Sequence, residues 1–339
     1  MVMRFGLSVV LALLVISACA TVAPAPRIFA AGYESTRITT AENRPVQLDI
    51  WYPAPEGEEA AHNYGISAGR IANGAAIADE RLPLVLLSHG AMGAAVNYSW
   101  VAEDLARHGY LVLGVSHFGE SPVFGPATLD PSSVSHFGDR TRDFAAALDF
   151  LLTRSAYASH VDPDRIGLIG HSSGGATALM LAGATLTVEG LADHCRSDQG
   201  REDKGCRYPR QTADPAQAPV PLGRTVRAIV ALDPALGPGF SSDTLARIST
   251  PVLVAGSRNN DFIPFDSHAG RIMALLSHSE RIVLDNSEGH FVYLDTCTVP
   301  IDVMGVALCK DRDGVDRVAV HARLAQAIIA FFDRNLSAR

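Results

Sequence analysis

Along this chain, short blocks that are apolar at almost every position alternate with longer stretches of helical period. The blocks lie at 84–87, 111–115, 166–169, 228–232, 252–255 and 281–284, and most run into a turn rich in Gly, Ser or Asn. A strand apolar on both alternating faces has no solvent side, as in a parallel sheet covered by helices. Between the blocks, 98–108 reads as a helix stopped by Gly109, and 139–154 as one with Phe144, Leu148, Leu151 and Leu152 on a single face. Residues 176–182 are good helix formers, and 317–336 repeats Val320, Leu324, Ile328 and Phe331. Residues 37–40 and 46–52 read as a pair of edge strands, and 53–81, without a clear period, as a surface excursion. Strand and helix in alternation predict an α/β fold with a mostly parallel sheet and helices on both faces. No repeat of 20–50 residues is visible, so 33–339 reads as one domain. Its polar, proline-bearing stretch at 187–225 is expected to form a cap-like insertion over a pocket.

Composition narrows the classes. With 47% hydrophobic and 19% charged residues over 339 positions, the chain can bury a large core. The net charge of −8, without a Lys/Arg run, argues against a nucleic-acid partner. Residues 1–18 carry one basic residue, Arg4, then an apolar run too short to span a bilayer, which reads as an export signal. Ile16-Ser17-Ala18-Cys19 resembles a bacterial lipobox, so Cys19 is the expected lipidation site and 19–32 a tether. Ala20 after the cysteine favours the outer membrane as the anchored surface. Of the five cysteines, the four that remain suit an oxidising compartment, and close spacing favours Cys195–Cys206 and Cys297–Cys309. Neither C-x-x-C nor H-E-x-x-H occurs, so neither metal nor other cofactor is expected.

The chemistry centres on Gly170-His171-Ser172-Ser173-Gly174, which fits G-x-S-x-G with an apolar block before it and a helical stretch after it. That context is the strand-turn-helix of a nucleophile elbow, which makes Ser172 the candidate nucleophile and the Ser173 N–H a candidate oxyanion donor. The turn 88–93 closes the strand at 84–87, and Ala91, after Gly90, is the candidate for the second donor. His89 reads as a support for that turn. In this architecture the nucleophile is followed by an acid and then a histidine. His290, preceded by Gly289 in a loop after the last strand, is the candidate base. Asp261 and Asp233 both follow strand ends; Asp261 is the preferred acid and Asp233, before Pro234, the alternative.

Residues 170–175, the Ser88-His89-Gly90 turn with 104–110 after it, and Ala231-Leu232-Asp233 resemble the platelet-activating-factor acetylhydrolase and dienelactone-hydrolase-like group of α/β-hydrolases. Asn260-Asp261-Phe262-Ile263-Pro264 and Gly289-His290 resemble bacterial cutinase-like polyester hydrolases. The first resemblance maps the acid onto Asp233, the second onto Asp261. Both imply serine esterase chemistry without a metal on a small-molecule or lipid-like ester. The alternatives are a serine peptidase or amidase, and a non-catalytic envelope lipoprotein that uses the fold as a binding scaffold.

Overall fold

The computed structural model of the protein describes residues 28–209 and 219–338. The expected signal at 1–18, Cys19 and the start of the tether therefore lie outside the described residues. In chain order the first elements are β1 (Ala30–Thr39), β2 (Pro45–Ala54), the small hairpin β3 (Ala60–Asn63) and β4 (Ala68–Ile71), β5 (Leu82–Ser88), α1 (Ser99–Arg107) and β6 (Leu111–His117). Next come α2 (Phe137–Thr153), β7 (Val161–His171), α3 (Ser173–Leu181), α4 (Val188–Arg196), β8 (Val226–Leu232), α5 (Ser242–Ala246) and β9 (Val252–Ser257). The chain closes with α6 (Ala269–Leu275), β10 (Ser279–Leu284), a second hairpin β11 (Asp302–Val303) and β12 (Val306–Ala307), and α7 (Arg317–Leu336).

Eight strands form one sheet in the order β1-β2-β6-β5-β7-β8-β9-β10. The two pairs at the β1 end are antiparallel, and every pairing from β6 to β10 is parallel. Period-two alternation explains the unbroken apolar blocks. On β5, Leu84 and Leu86 enter the core under α2 and α3, whereas Val85 and Leu87 enter the one under α1 and α7. The α7 stripe expected from the sequence is the buried face of that helix, with Phe332 added to it and fully buried. Gly167 on β7 lets Phe332 approach, since a Cβ there would sit 2.7 Å from its ring. No helix among the described residues is long and apolar enough to cross a membrane.

One expectation needs correction. The stretch 53–81 is not all surface, because β3 and β4 bring Tyr64 and Ile71 into the α1 core, where Tyr64 accepts from the buried Trp51 indole at 2.9 Å. A four-residue strand carries too little period to be read from sequence. The insertion region also contains a regular helix, α4, whose Thr187 side chain caps it by accepting from Gly190 N–H.

Candidate active site

Parallel strands end together, so the loops after β5, β7, β8, β9 and β10 meet at one edge of the sheet. Ser172 sits between the last residue of β7 and the first of α3 with φ 55° and ψ −120°, a strained turn for a residue with a side chain. Both glycines of the motif are required by close approach. A Cβ on Gly170 would lie 2.3 Å from the Gly174 carbonyl, and one on Gly174 would lie 2.1 Å from the Ser88 carbonyl. The turn is held from below by Ser172 N–H donating to Leu232 O at 3.0 Å and by Ala235 N–H donating to Ser172 O at 3.1 Å.

His290 lies directly over this turn. Its Nε2 is 3.0 Å from Ser172 Oγ and its Nδ1 is 2.7 Å from Asp233 Oδ2. All three side chains are buried. The ring is stacked on Phe262 at 5.2 Å with 9° between planes, and also meets the His171 ring at 4.6 Å, tilted by 39°. The residue's backbone is fixed as well, through its N–H to Asp261 Oδ1 at 2.9 Å and its carbonyl to His171 Nε2 at 3.0 Å.

In this geometry the histidine ring is not met by the preferred acid, Asp261. Its carboxylate takes the main-chain N–H of His290, while the ring is met by Asp233, which directly follows β8 beside the serine strand and has φ 43°. Burial raises the Asp233 carboxyl, but its three partners, Ser257 N–H, the Asn260 amide and His290 Nδ1, are all placed to donate, and together they favour the carboxylate. Burial holds His290 below the ordinary histidine value, with the Asp261 charge opposing, so the ring is neutral at neutral pH. With Nδ1–H committed to Asp233, the Nε2 lone pair faces Ser172 Oγ.

The turn after β5 is pressed against the elbow, and a Cβ on Gly90 would sit 3.3 Å from Ser172 Cβ. Among the described residues, no acceptor takes the N–H of Ala91 or of Ser173. A buried network fixes this turn from behind. Arg140 pairs with Glu120 at 2.9 and 2.6 Å and donates to the His89 carbonyl at 2.7 Å. The His89 ring lies between Gly90 O at 2.6 Å and His117 N–H at 3.1 Å, a support for the turn. Sequence reasoning missed Arg140, although it falls four residues before Phe144 on the apolar face of α2, where a charge must have a buried partner.

Two cross-linked segments border the site. Cys195 is bonded to Cys206 in the insertion, and Cys297 to Cys309 around the β11–β12 hairpin. Asp203 of the insertion accepts from His194 and His268 at 2.9 and 2.8 Å, and Lys204 donates to Asp261 O at 2.7 Å. From the hairpin side, Val303, Met304 and Val306 pack with Phe262 and Ile263. Both segments thus bear on the loop whose Phe262 ring lies against His290. Among the described residues, two side-chain clusters have convergent metal-type donors, but His171, Asp233 and His290 are engaged in the bonds above, and Cys206 of the other is in its disulfide.

Comparison with known proteins follows the same lines. The serine aminopeptidase S33 family (Hydrolase_4) matches residues 79–192, from just before β5 into α4. Cutinase est2 of Thermobifida alba is 34% identical over 101 residues, covering 29% of this chain and 29% of that protein. The match therefore spans under a third of that relative's length. A bis(hydroxyethyl) terephthalate hydrolase of Streptomyces coelicolor is 25% identical over 230 residues, 67% of this chain and 56% of that one. Among solved structures, a ferulic acid esterase from Streptomyces cinnamoneus superposes with a TM-score of 0.59 at 25% identity, covering 94% of this chain and 93% of its own. The strand order, the strained serine between β7 and α3 and these likenesses together show an α/β-hydrolase fold with a cutinase-like resemblance.

Proposed function

We propose that the protein hydrolyses carboxylic esters through an acyl-enzyme on Ser172. The observation that carries the reading is the position of His290 between Ser172 Oγ and Asp233 Oδ2, at 3.0 and 2.7 Å. His290 Nε2 takes the serine proton as Oγ attacks the ester carbonyl, and the oxygen of the tetrahedral intermediate accepts the N–H groups of Ala91 and Ser173. Each such donor is worth about 3 kcal/mol of barrier. The imidazolium passes its proton to the departing alkoxide; water then attacks the acyl-enzyme by the same route and restores the serine. Asp233 holds the ring in the Nδ1–H tautomer.

The substrate is a small-molecule ester. Val188, Leu191 and Tyr208 of the insertion pack with Val134 and Phe137 at the start of α2 and with Leu236 after β8, which supports a cap role for 187–225. The relatives named for cutin, terephthalate and ferulic acid esters favour the same chemistry. The S33 match favours a second reading as a serine peptidase. Parallel assays on p-nitrophenyl acyl esters and on aminoacyl and dipeptidyl p-nitroanilides separate the two. Ester turnover that falls about 10⁵-fold in Ser172→Ala is the expected result; anilide turnover exceeding ester turnover supports the peptidase. We propose in addition that the chain is exported, for which the two disulfides are the support, and that it is anchored through Cys19, which rests on the lipobox-like Ile16-Ser17-Ala18-Cys19 alone.

A further inference from the structure

We propose that Tyr98 and His171 are positioning residues that lock the oxyanion turn to the His290 loop through a single directed chain of hydrogen bonds. The proposal rests on the ester hydrolase reading of Ser172. Its two ends determine the direction. Gly90 N–H can only donate, and it gives its proton to Tyr98 Oη at 3.0 Å. The His290 carbonyl can only accept, and it lies 3.0 Å from His171 Nε2, which must therefore carry the hydrogen. A neutral His171 then has its lone pair on Nδ1, so the Tyr98 hydroxyl, 2.8 Å away, donates to it. Burial holds His171 well below the ordinary histidine value, which keeps the ring neutral and the direction fixed. Tyr98 and His171 are 3% and 2% exposed, so water does not compete for these bonds.

The chain joins three separate loops. Gly90 directly precedes Ala91, whose N–H is proposed to receive the oxyanion. His171 directly precedes Ser172 and fills the first variable position of the serine motif. The His290 carbonyl belongs to the residue whose ring moves the proton. A shift at either end displaces a group that acts on the transition state more than on bound substrate, so its cost belongs in kcat and not in KM.

The test is steady-state hydrolysis of p-nitrophenyl butyrate by the full chain. Tyr98→Phe removes one hydroxyl and is expected to lower kcat about 10- to 100-fold, with KM within about twofold. His171→Leu is expected to give a loss of similar size. His171→Gln keeps an N–H donor toward the His290 carbonyl and is expected to recover part of it. Cutting the chain twice should cost no more than cutting it once, so Tyr98→Phe/His171→Leu should match the poorer single variant. Unchanged kcat in Tyr98→Phe, a loss confined to KM, or two losses that multiply in the double variant overturns the proposal. Should Tyr98→Phe fail to fold, the His171 pair decides: equal kcat in the Gln and Leu variants overturns it, and the higher value in Gln supports it. Absence of ester turnover in the wild type, or its survival in Ser172→Ala, overturns instead the reading of Ser172, and the proposal with it. Active wild type with an unaffected Tyr98→Phe removes the chain alone.

Discussion

Replacing Asp233 by Asn changes one oxygen to an amide nitrogen at a position 1% exposed. The carboxylate accepts at Oδ1 from Ser257 N–H and at Oδ2 from both Asn260 and His290. An amide has one accepting oxygen, so one of the two sites becomes donor against donor. With the amide NH₂ toward His290, the ring must present a lone pair at Nδ1 and carry its hydrogen on Nε2, where it faces Ser172 and cannot take the proton. With the NH₂ turned the other way, Ser257 N–H is left buried without an acceptor. The first arrangement costs about 10⁴-fold in kcat, or about 5.5 kcal/mol of barrier. The second costs about 1–3 kcal/mol of stability. For a domain of this size that lowers the melting temperature by about 2–4 °C per kcal/mol. Ester hydrolysis and thermal melting on the same preparation read both. A folded Asp233→Asn variant with kcat within tenfold of wild type and an unchanged melting temperature matches neither arrangement and refutes the assignment of Asp233 to His290.

Asp261→Asn should keep kcat within about tenfold, because the Asn oxygen still accepts from His290 N–H; a loss near 10⁴-fold restores Asp261 as the orienting acid. The pH profile carries a second readout for that variant. Burial lowers His290, so the acid limb of kcat/KM in the wild type should lie below the ordinary histidine range, and removing the Asp261 charge, which favours the imidazolium, should move it lower still; a limb that moves to higher pH contradicts this. Gly174→Ala puts a methyl group on the Ser88 carbonyl and should reduce kcat at least 100-fold with a melting loss of about 1–3 kcal/mol, whereas near-wild-type activity would show that the two turns are not in contact. Cys19→Ala should shift the protein from the membrane fraction to the soluble one on fractionation, and an unchanged distribution removes the proposed anchor.

Much of the core was legible because each parallel strand is buried on both faces and needs an unbroken apolar block. The helices α2 and α7 could be read because their stripes are long. Less could be read where a feature depends on how distant loops meet. The identity of the acid is such a case. Asp233 and Asp261 both follow a strand at the same sheet edge, and no local pattern states which carboxylate faces the ring and which the main chain of His290. The proposed choice of Asp233 rests on its place after β8, beside the serine strand β7, and on its left-handed φ, and both are tertiary facts. Asn260, beside Asp261, holds the Asp233 carboxylate and caps Phe262 and Ile263 N–H, roles that no local pattern states. The buried partners of Arg140 and His171 lie far away in sequence, so a charge or an imidazole on an apolar face was the only available signal.

The central claim is that Ser172 forms the acyl-enzyme, and it is tested most directly by mass spectrometry of the intact and digested protein after treatment with a fluorophosphonate. One adduct per chain, on the peptide that contains Ser172 and absent from Ser172→Ala, is the predicted result. An unlabelled wild type, or an adduct on another residue with ester turnover intact in Ser172→Ala, contradicts the account.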